Sequence, residues 1–207
     1  MWRILKLETL VWAHMYDDTV HYSDRNSATL SVAHPRSLKI EPEIVFGLRG
    51  PANVERAPDA AATLARTEWL AIAFEIIDCP FPEWRLQPSD FVASFGLHAA
   101  LVIGEKMPVR PDSIPALVDE LSRFKVRMSR NGTLVEEASG RNALRNPASC
   151  LAELSTAITR RFPDHPLSVG EIVSSGTLTA GHATGAGEEW TVDVEGISSP
   201  SLNLRLA

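Results

Sequence analysis

A chain of 207 residues with 44% apolar side chains can bury one core without disulfides or a structural metal, so a single domain over residues 1–207 is expected. Its net charge of -6 excludes a duplex nucleic-acid partner, which needs clustered Lys and Arg; the thin basic group at Arg141, Arg145, Arg160 and Arg161 reads as solvated helix surface. No apolar run approaches the roughly 20 residues of a membrane helix, Met1 to Leu7 is not followed by an export cleavage site, and Cys79 and Cys150 form no C-x-x-C pair. The expectation is a cytoplasmic protein with free thiols, no membrane association and no nucleic acid.

Along the chain, Leu38, Ile40, Ile44, Phe46 and Leu48 alternate with Lys39, Glu41 and Glu43, the period of two that marks a strand. Pro42 within it suggests a sheet edge or a bulge. Residues Arg49 to Asp59 read as a loop and Ala60 to Arg66 as a short helix. Trp69 to Ile77 is a nearly unbroken apolar run closed by Asp78-Cys79-Pro80, and reads as a buried strand. Pro88-Ser89-Asp90 opens a short helix, Ala99 to Ile103 is strand-like, and Ser113 to Leu121 has helical spacing. Phe124 to Ser129 and Thr133 to Ala138 flank Asn131-Gly132, a strong hairpin signal. Asn146-Pro147 opens a helix reaching to about Phe162, and Glu189 to Glu195 with Ser201 to Leu206 make a second hairpin. The fold class is α+β and β-rich.

Glu41 and Glu43, two apart on a strand, leave the same face, and two carboxylates on one face can converge on a cation. Taken alone, E-x-E is also an ordinary solvent-facing edge. Glu75 adds weight, because it interrupts an apolar strand where an unpaired charge costs several kcal/mol. A salt bridge to an arginine, a neutral acid with a raised pKa, or a metal ion can each compensate it. With no histidine or thiolate near them in sequence, three carboxylates favour a hard cation with oxygen ligands, Mg²⁺ or Mn²⁺.

Several separate motifs stand in order: Met15-Tyr16-Asp17-Asp18, Lys39-Ile40-Glu41-Pro42-Glu43-Ile44 and Phe74-Glu75-Ile76-Ile77-Asp78, then Gly132, Asn142 to Pro147, and Gly170 to Thr179. Together, over Val11 to Leu206, they resemble the hydratase/decarboxylase branch of the fumarylacetoacetate hydrolase superfamily, which includes 2-oxopent-4-enoate hydratase. The resemblance implies a mixed, barrel-like, strand-rich domain like the family's C-terminal one, with Mg²⁺ or Mn²⁺ held by Glu41, Glu43 and Glu75. It implies a short 2-oxo acid as substrate, as in aromatic meta-cleavage catabolism, with the metal stabilising an enolate, and a homo-oligomeric assembly. Gly176, Thr177 and Thr179 resemble the substrate-facing loop, although Gly-Thr after a strand is also an ordinary turn.

The chain departs from the family in two places. The family's glycine-aromatic-lysine segment has no match, since Lys6 lies between Leu5 and Leu7 without the glycines; the expectation is a catalytic domain without the family's N-terminal segment. Ser94 to His98 replaces small polar residues, and His98 is either a substitute acid/base, as imidazole titrates near neutrality, or a hydrogen-bonded structural histidine. Alternative readings are a C–C bond hydrolase of acylpyruvate type and a catalytically silent binding or assembly subunit. The glycine-rich stretch Gly181 to Gly187 lacks the Lys-Ser/Thr of a phosphate loop and reads as a turn.

Overall fold

The computed structural model describes residues 10–32, 37–50 and 59–207; Met1 to Leu7, with Lys6, and most of the 49–59 loop fall outside them. In chain order the elements are β1 (Val20–Tyr22), β2 (Ser27–Leu30), β3 (Leu38–Leu48), α1 (Ala60–Leu64), β4 (Thr67–Asp78), α2 (Pro88–Ala93), β5 (His98–Ile103) and β6 (Met107–Pro108). They continue as α3 (Ile114–Arg123), β7 (Lys125–Arg130), β8 (Thr133–Ser139), α4 (Pro147–Arg161), β9 (Ile172–Ser174), β10 (His182–Ala183), β11 (Glu189–Glu195) and β12 (Leu202–Leu206). The domain is α+β and strand-rich.

The strands form two mixed sheets. One has seven strands, ordered β1-β5-β4-β3-β10 with β6 on β4 and β9 on β3; the other has five, ordered β2-β12-β11-β7-β8. Asn131 and Gly132 both take positive φ, 49° and 76°, as a tight hairpin turn between right-twisted strands requires. Asn146 caps α4 by accepting from the Ala148 N–H at 2.8 Å, ahead of Pro147, whose missing N–H costs nothing at a helix start.

Period-two alternation decides what each face of the seven-stranded sheet meets. Ile40, Ile44 and Phe46 of β3, with Ile72 and Phe74 of β4, join Met128, Trp190, Val192, Leu202 and Leu204 of the second sheet in one buried core. The opposite face carries Glu41, Glu43 and Glu75 among Val45, Ala71, Ala73, Leu101 and Ile103, with Met15, Val20 and Ile172 packed over them. The glutamates therefore stand on the face turned away from the main core.

Pro42 marks neither an edge strand nor a bulge. β3 lies inside the sheet, and its register on β4 shifts only between Gly47 and Leu48. On its other side β3 pairs with β10 at Lys39 and Ile40 and with β9 at Val45 to Gly47. Pro42 sits between these partners. The Ile44 N–H points into that gap, toward the Ser175 hydroxyl at 3.2 Å, and two residues earlier Pro42 presents no N–H to the same side, so the interruption leaves no ladder donor unsatisfied.

Candidate metal centre

Direct cross-strand pairing of Glu41 with Glu75, and of Glu43 with Ala73, brings the carboxylates together. One carboxylate oxygen from each of Glu41, Glu43 and Glu75 lies within 4.8 Å of the others. Ala71 and Ala73, both fully buried, leave room beside Glu75 that a larger residue would fill. Glu41 is 8% and Glu43 2% exposed, so three acidic groups share a site largely withdrawn from water.

That arrangement opposes ionisation. Burial, then the charge of Glu43, raises the Glu41 carboxyl from 4.5 to about 7, with Lys39 opposing. Burial, then Glu41, raises Glu75 to about 8. Glu43 is raised well above the usual range by burial and by Glu75, against hydrogen bonds from Ser174 and Gly176. Both donors reach Glu43 Oε2: the Ser174 hydroxyl, and the Gly176 N–H at 3.2 Å. Gly176 holds φ at +86°, the left-handed region that favours glycine.

His98 joins the site through a backbone irregularity. Regular alternation back from Leu101, the partner of Glu75, would turn His98 toward the core. A register shift between Ile76 and Ile77 instead sets His98 opposite Ile77, a bulge that re-aims its ring so that Nδ1 lies 2.7 Å from Glu75 Oε1. Nε2 lies 2.9 Å from the Thr19 hydroxyl, which donates its one proton to the Tyr16 carbonyl at 2.7 Å. Thr19 can therefore only accept from His98, which places a proton on Nε2. A second proton lies between Nδ1 and Glu75, on one or the other. Burial lowers the His98 pKa below the ordinary imidazole value, with Glu43 opposing.

Glu43, Glu75, His98, Ser174 and Gly176 line a cavity of about 990 Å³ between the outer sheet face, residues 10–17, α4 and residues 164–176. Glu41 does not border it and stands beside Gly181, where an added Cβ would lie 2.6 Å from Glu41 Oε1. Thr177 and Thr179 do not border it either, contrary to the expectation for that loop. The Thr177 hydroxyl donates to the Thr179 carbonyl at 2.9 Å, and the Thr179 hydroxyl donates to the Ala180 carbonyl at 2.8 Å while lying 3.8 Å from Met128 Sδ. Of that stretch, the groups reaching the glutamates are Ser174 and Gly176. The Cys150 thiol also lines the cavity, but burial, then Glu43 and Glu153, pushes its pKa up to about 12, which keeps it neutral and unreactive.

The donor set fits a hard divalent cation. Its oxygens come from largely buried carboxylates that repel one another, with Lys39 opposing only in part at Glu41, and no soft ligand stands among them. Among the described residues no helix is long and apolar enough to cross a membrane.

Comparison with known proteins gives concordant results. The family model for the fumarylacetoacetate (FAA) hydrolase C-terminal region matches residues 15–202. The 2-hydroxyhexa-2,4-dienoate hydratase of Comamonas testosteroni is 29% identical over 189 residues, 89% of this chain and 67% of that protein. The 4-oxalocrotonate decarboxylase of Pseudomonas sp. (strain CF600) is 27% identical over 173 residues, 84% of this chain and 61% of that protein. The chain thus spans only 61 to 67% of the length of these relatives. Among solved structures, 4-oxalocrotonate decarboxylase from Pseudomonas putida G7, complexed with magnesium and adipate, superposes with a TM-score of 0.85 at 20% identity, covering 100% of this chain and 73% of that one. Fumarylpyruvate hydrolase from Pseudomonas aeruginosa, in complex with Mn²⁺ and pyruvate, gives 0.57 at 13% identity, covering 88% and 75%. At such identities the structural likenesses establish a shared fold.

Proposed function

The chain belongs to the fumarylacetoacetate hydrolase family, and on that premise we propose that it is the catalytic domain of a hydratase or decarboxylase that holds a divalent cation on Glu41, Glu43 and Glu75 and acts on a 2-oxo acid of the 2-hydroxydienoic kind. The observation that carries this reading is the convergence of the three carboxylates within 4.8 Å, two of them lining a cavity shared with His98. It is supported by relatives named as hydratase and decarboxylase and by a neighbour of the same fold that binds magnesium.

A divalent cation held there supplies Lewis acidity toward the oxygens of a 2-oxo acid, the electron sink that hydration and decarboxylation share. The protein's own residues do the rest. The Ser174 hydroxyl and the Gly176 N–H fix one oxygen of Glu43 and leave the other to bind. His98 holds Glu75 through Nδ1 and is itself held by Thr19. The proton between Glu75 and His98 is a candidate for transfer, since both residues line the cavity in which the acid would bind.

Calorimetric titration of oxalate, an unreactive analogue of the 2-oxo acid group, tests the reading. Oxalate should bind only with Mg²⁺ or Mn²⁺ present, and binding should be lost in Glu43→Gln. A spectroscopic assay with 2-hydroxypenta-2,4-dienoate then reads turnover. Oxalate binding that is indifferent to metal would remove the main support.

A further inference from the structure

Two of the three carboxylates at the metal centre are held by polar partners: Glu43 by Ser174 and Gly176, and Glu75 by His98. Among the described residues no hydrogen-bond donor holds Glu41. What stands against its carboxylate is the backbone at Gly181, where an added Cβ would lie 2.6 Å from Oε1. The two residues flanking Gly181 are both tied to one side chain of the other sheet. Glu136 accepts from the Ala180 N–H, at 3.2 Å to Oε2 and 3.3 Å to Oε1, and the same Oε2 lies 2.5 Å from His182 Nε2. Glu136 reaches them because of a bulge. The register of β8 on β7 shifts between Met128 and Ser129 and leaves Glu136 opposite Met128, and cross-strand partners leave the same face of a sheet. Met128 is buried in the core, so Glu136, on an outermost strand of its sheet, turns inward. β10, outermost in the other sheet, pairs with β3 at Lys39 and Ile40, immediately before Glu41. An inward charge also guards a sheet edge against stray pairing, a role that any charged residue fills. Accepting the Ala180 N–H, one residue before Gly181, requires an acceptor and goes beyond it.

We infer that Glu136 is a positioning residue for the metal centre: by holding Ala180 and His182 it sets the Gly181 backbone against Glu41 and fixes the direction of that ligand's carboxylate. The inference rests on the metal-centre reading above. Glu136 stands on β8 and does not border the cavity, so it acts through Gly181 and not on a bound acid. A backbone held on both sides cannot swing away as the end of a flexible side chain can, and it restrains Glu41 by contact where Ser174 and Gly176 restrain Glu43 by hydrogen bonds. Groups that orient a metal ligand contribute about 10- to 100-fold in affinity, and Glu136, acting at one remove, belongs at the lower end, about tenfold.

The test is calorimetric titration of Mn²⁺ into the metal-free full chain at about pH 8, where an ordinary imidazole carries no charge. The unaltered chain is compared with Glu136→Ala, Glu136→Gln, Gly181→Ala and the double variant Glu136→Ala/Gly181→Ala, with melting curves to show that each is folded. Glu136→Ala should weaken binding by about tenfold. Glu136→Gln keeps an oxygen for the Ala180 N–H and an amide N–H for an unprotonated His182 Nε2, and should return affinity to within about threefold of the unaltered chain. An added Cβ disturbs Glu41 only while the loop is held against it, so Gly181→Ala should cost less in the Glu136→Ala background than alone, a coupling that a merely structural Glu136 would not produce. If Glu136→Ala does not fold, His182→Ala, which removes one arm of the clasp, takes its place in the cycle under the same criteria. Additive costs, no recovery in Glu136→Gln, or unchanged affinity in either single alanine variant overturns the inference and leaves the metal centre standing. An unaltered chain that binds no Mn²⁺ overturns both.

Discussion

At the scale of single residues, the site is a set of carboxylates held against their own repulsion, and the clearest consequences concern Glu43 and its donors. Ser174→Ala removes the hydroxyl that donates to Glu43. It should weaken Mg²⁺ or Mn²⁺ binding by roughly 10- to 100-fold, as loss of a group orienting a metal ligand does, while thermal unfolding moves by only about 1 kcal/mol. Equal metal affinity in the variant would show that Glu43 needs no such support. The same carboxylates set a pH dependence. Their folded pKa values lie above 4.5, at about 7 for Glu41 and about 8 for Glu75, so folding favours their protonated forms. The stability they contribute is present in full below their unfolded value and is lost as pH rises toward and through 7 to 8. Metal-free protein should therefore show a melting temperature that falls between about pH 5 and pH 8, and saturating Mg²⁺ should flatten the fall, because the cation compensates the ionised forms. A metal-free melting temperature that rises over that interval would contradict the assignment of these shifts to burial and mutual repulsion.

At the scale of elements, the two long central strands and the Asn131-Gly132 hairpin were legible because one-sided burial writes its period into the residues. Between the strand ends, even-numbered positions of β3 and β4 include Leu38, Ile40, Ile44, Phe46, Leu70, Ile72, Phe74 and Ile76, and these eight are buried in the core. The glutamates were legible for the same reason, since each stands on the odd-numbered face of a strand whose other face is apolar. What stayed hidden depends on pairing across sequence. The bulge opposite Ile77 that turns His98 to Glu75 exists only once β4 and β5 are aligned, and nothing near His98 in sequence announces it. Thr177 and Thr179 misled because a hydroxyl's direction is set by the local turn, and both are spent on neighbouring backbone. Gly181 was read as turn glycine, yet β10 beside it pairs with β3 at Ile40, which brings Gly181 against Glu41. Gly181→Ala should accordingly displace the Glu41 carboxylate and reduce metal affinity by at least about tenfold. Calorimetry on the variant checks this, and unchanged affinity would mean that Glu41 has room to give.

At the scale of the whole molecule, the core and the site are opposite faces of the same strands, so fold stability and metal binding are linked. Phe74, fully buried beside Glu75 in β4, contributes to the core between the sheets; Phe74→Ala should destabilise the domain by about 3–5 kcal/mol. A cation that binds only the folded chain should recover part of that loss, about 2.7 kcal/mol at a concentration 100 times its dissociation constant, and denaturant melts with and without Mg²⁺ measure it. Recovery that fails while the ion still binds would place the site outside the cooperative unit. The central claim, that Glu41, Glu43 and Glu75 form one metal centre, is tested most directly by calorimetric titration of Mn²⁺ into the metal-free full chain at pH 8, alongside Glu43→Gln. The account predicts one ion bound per chain and an affinity at least roughly 100-fold weaker in the variant; equal binding by both proteins would contradict it.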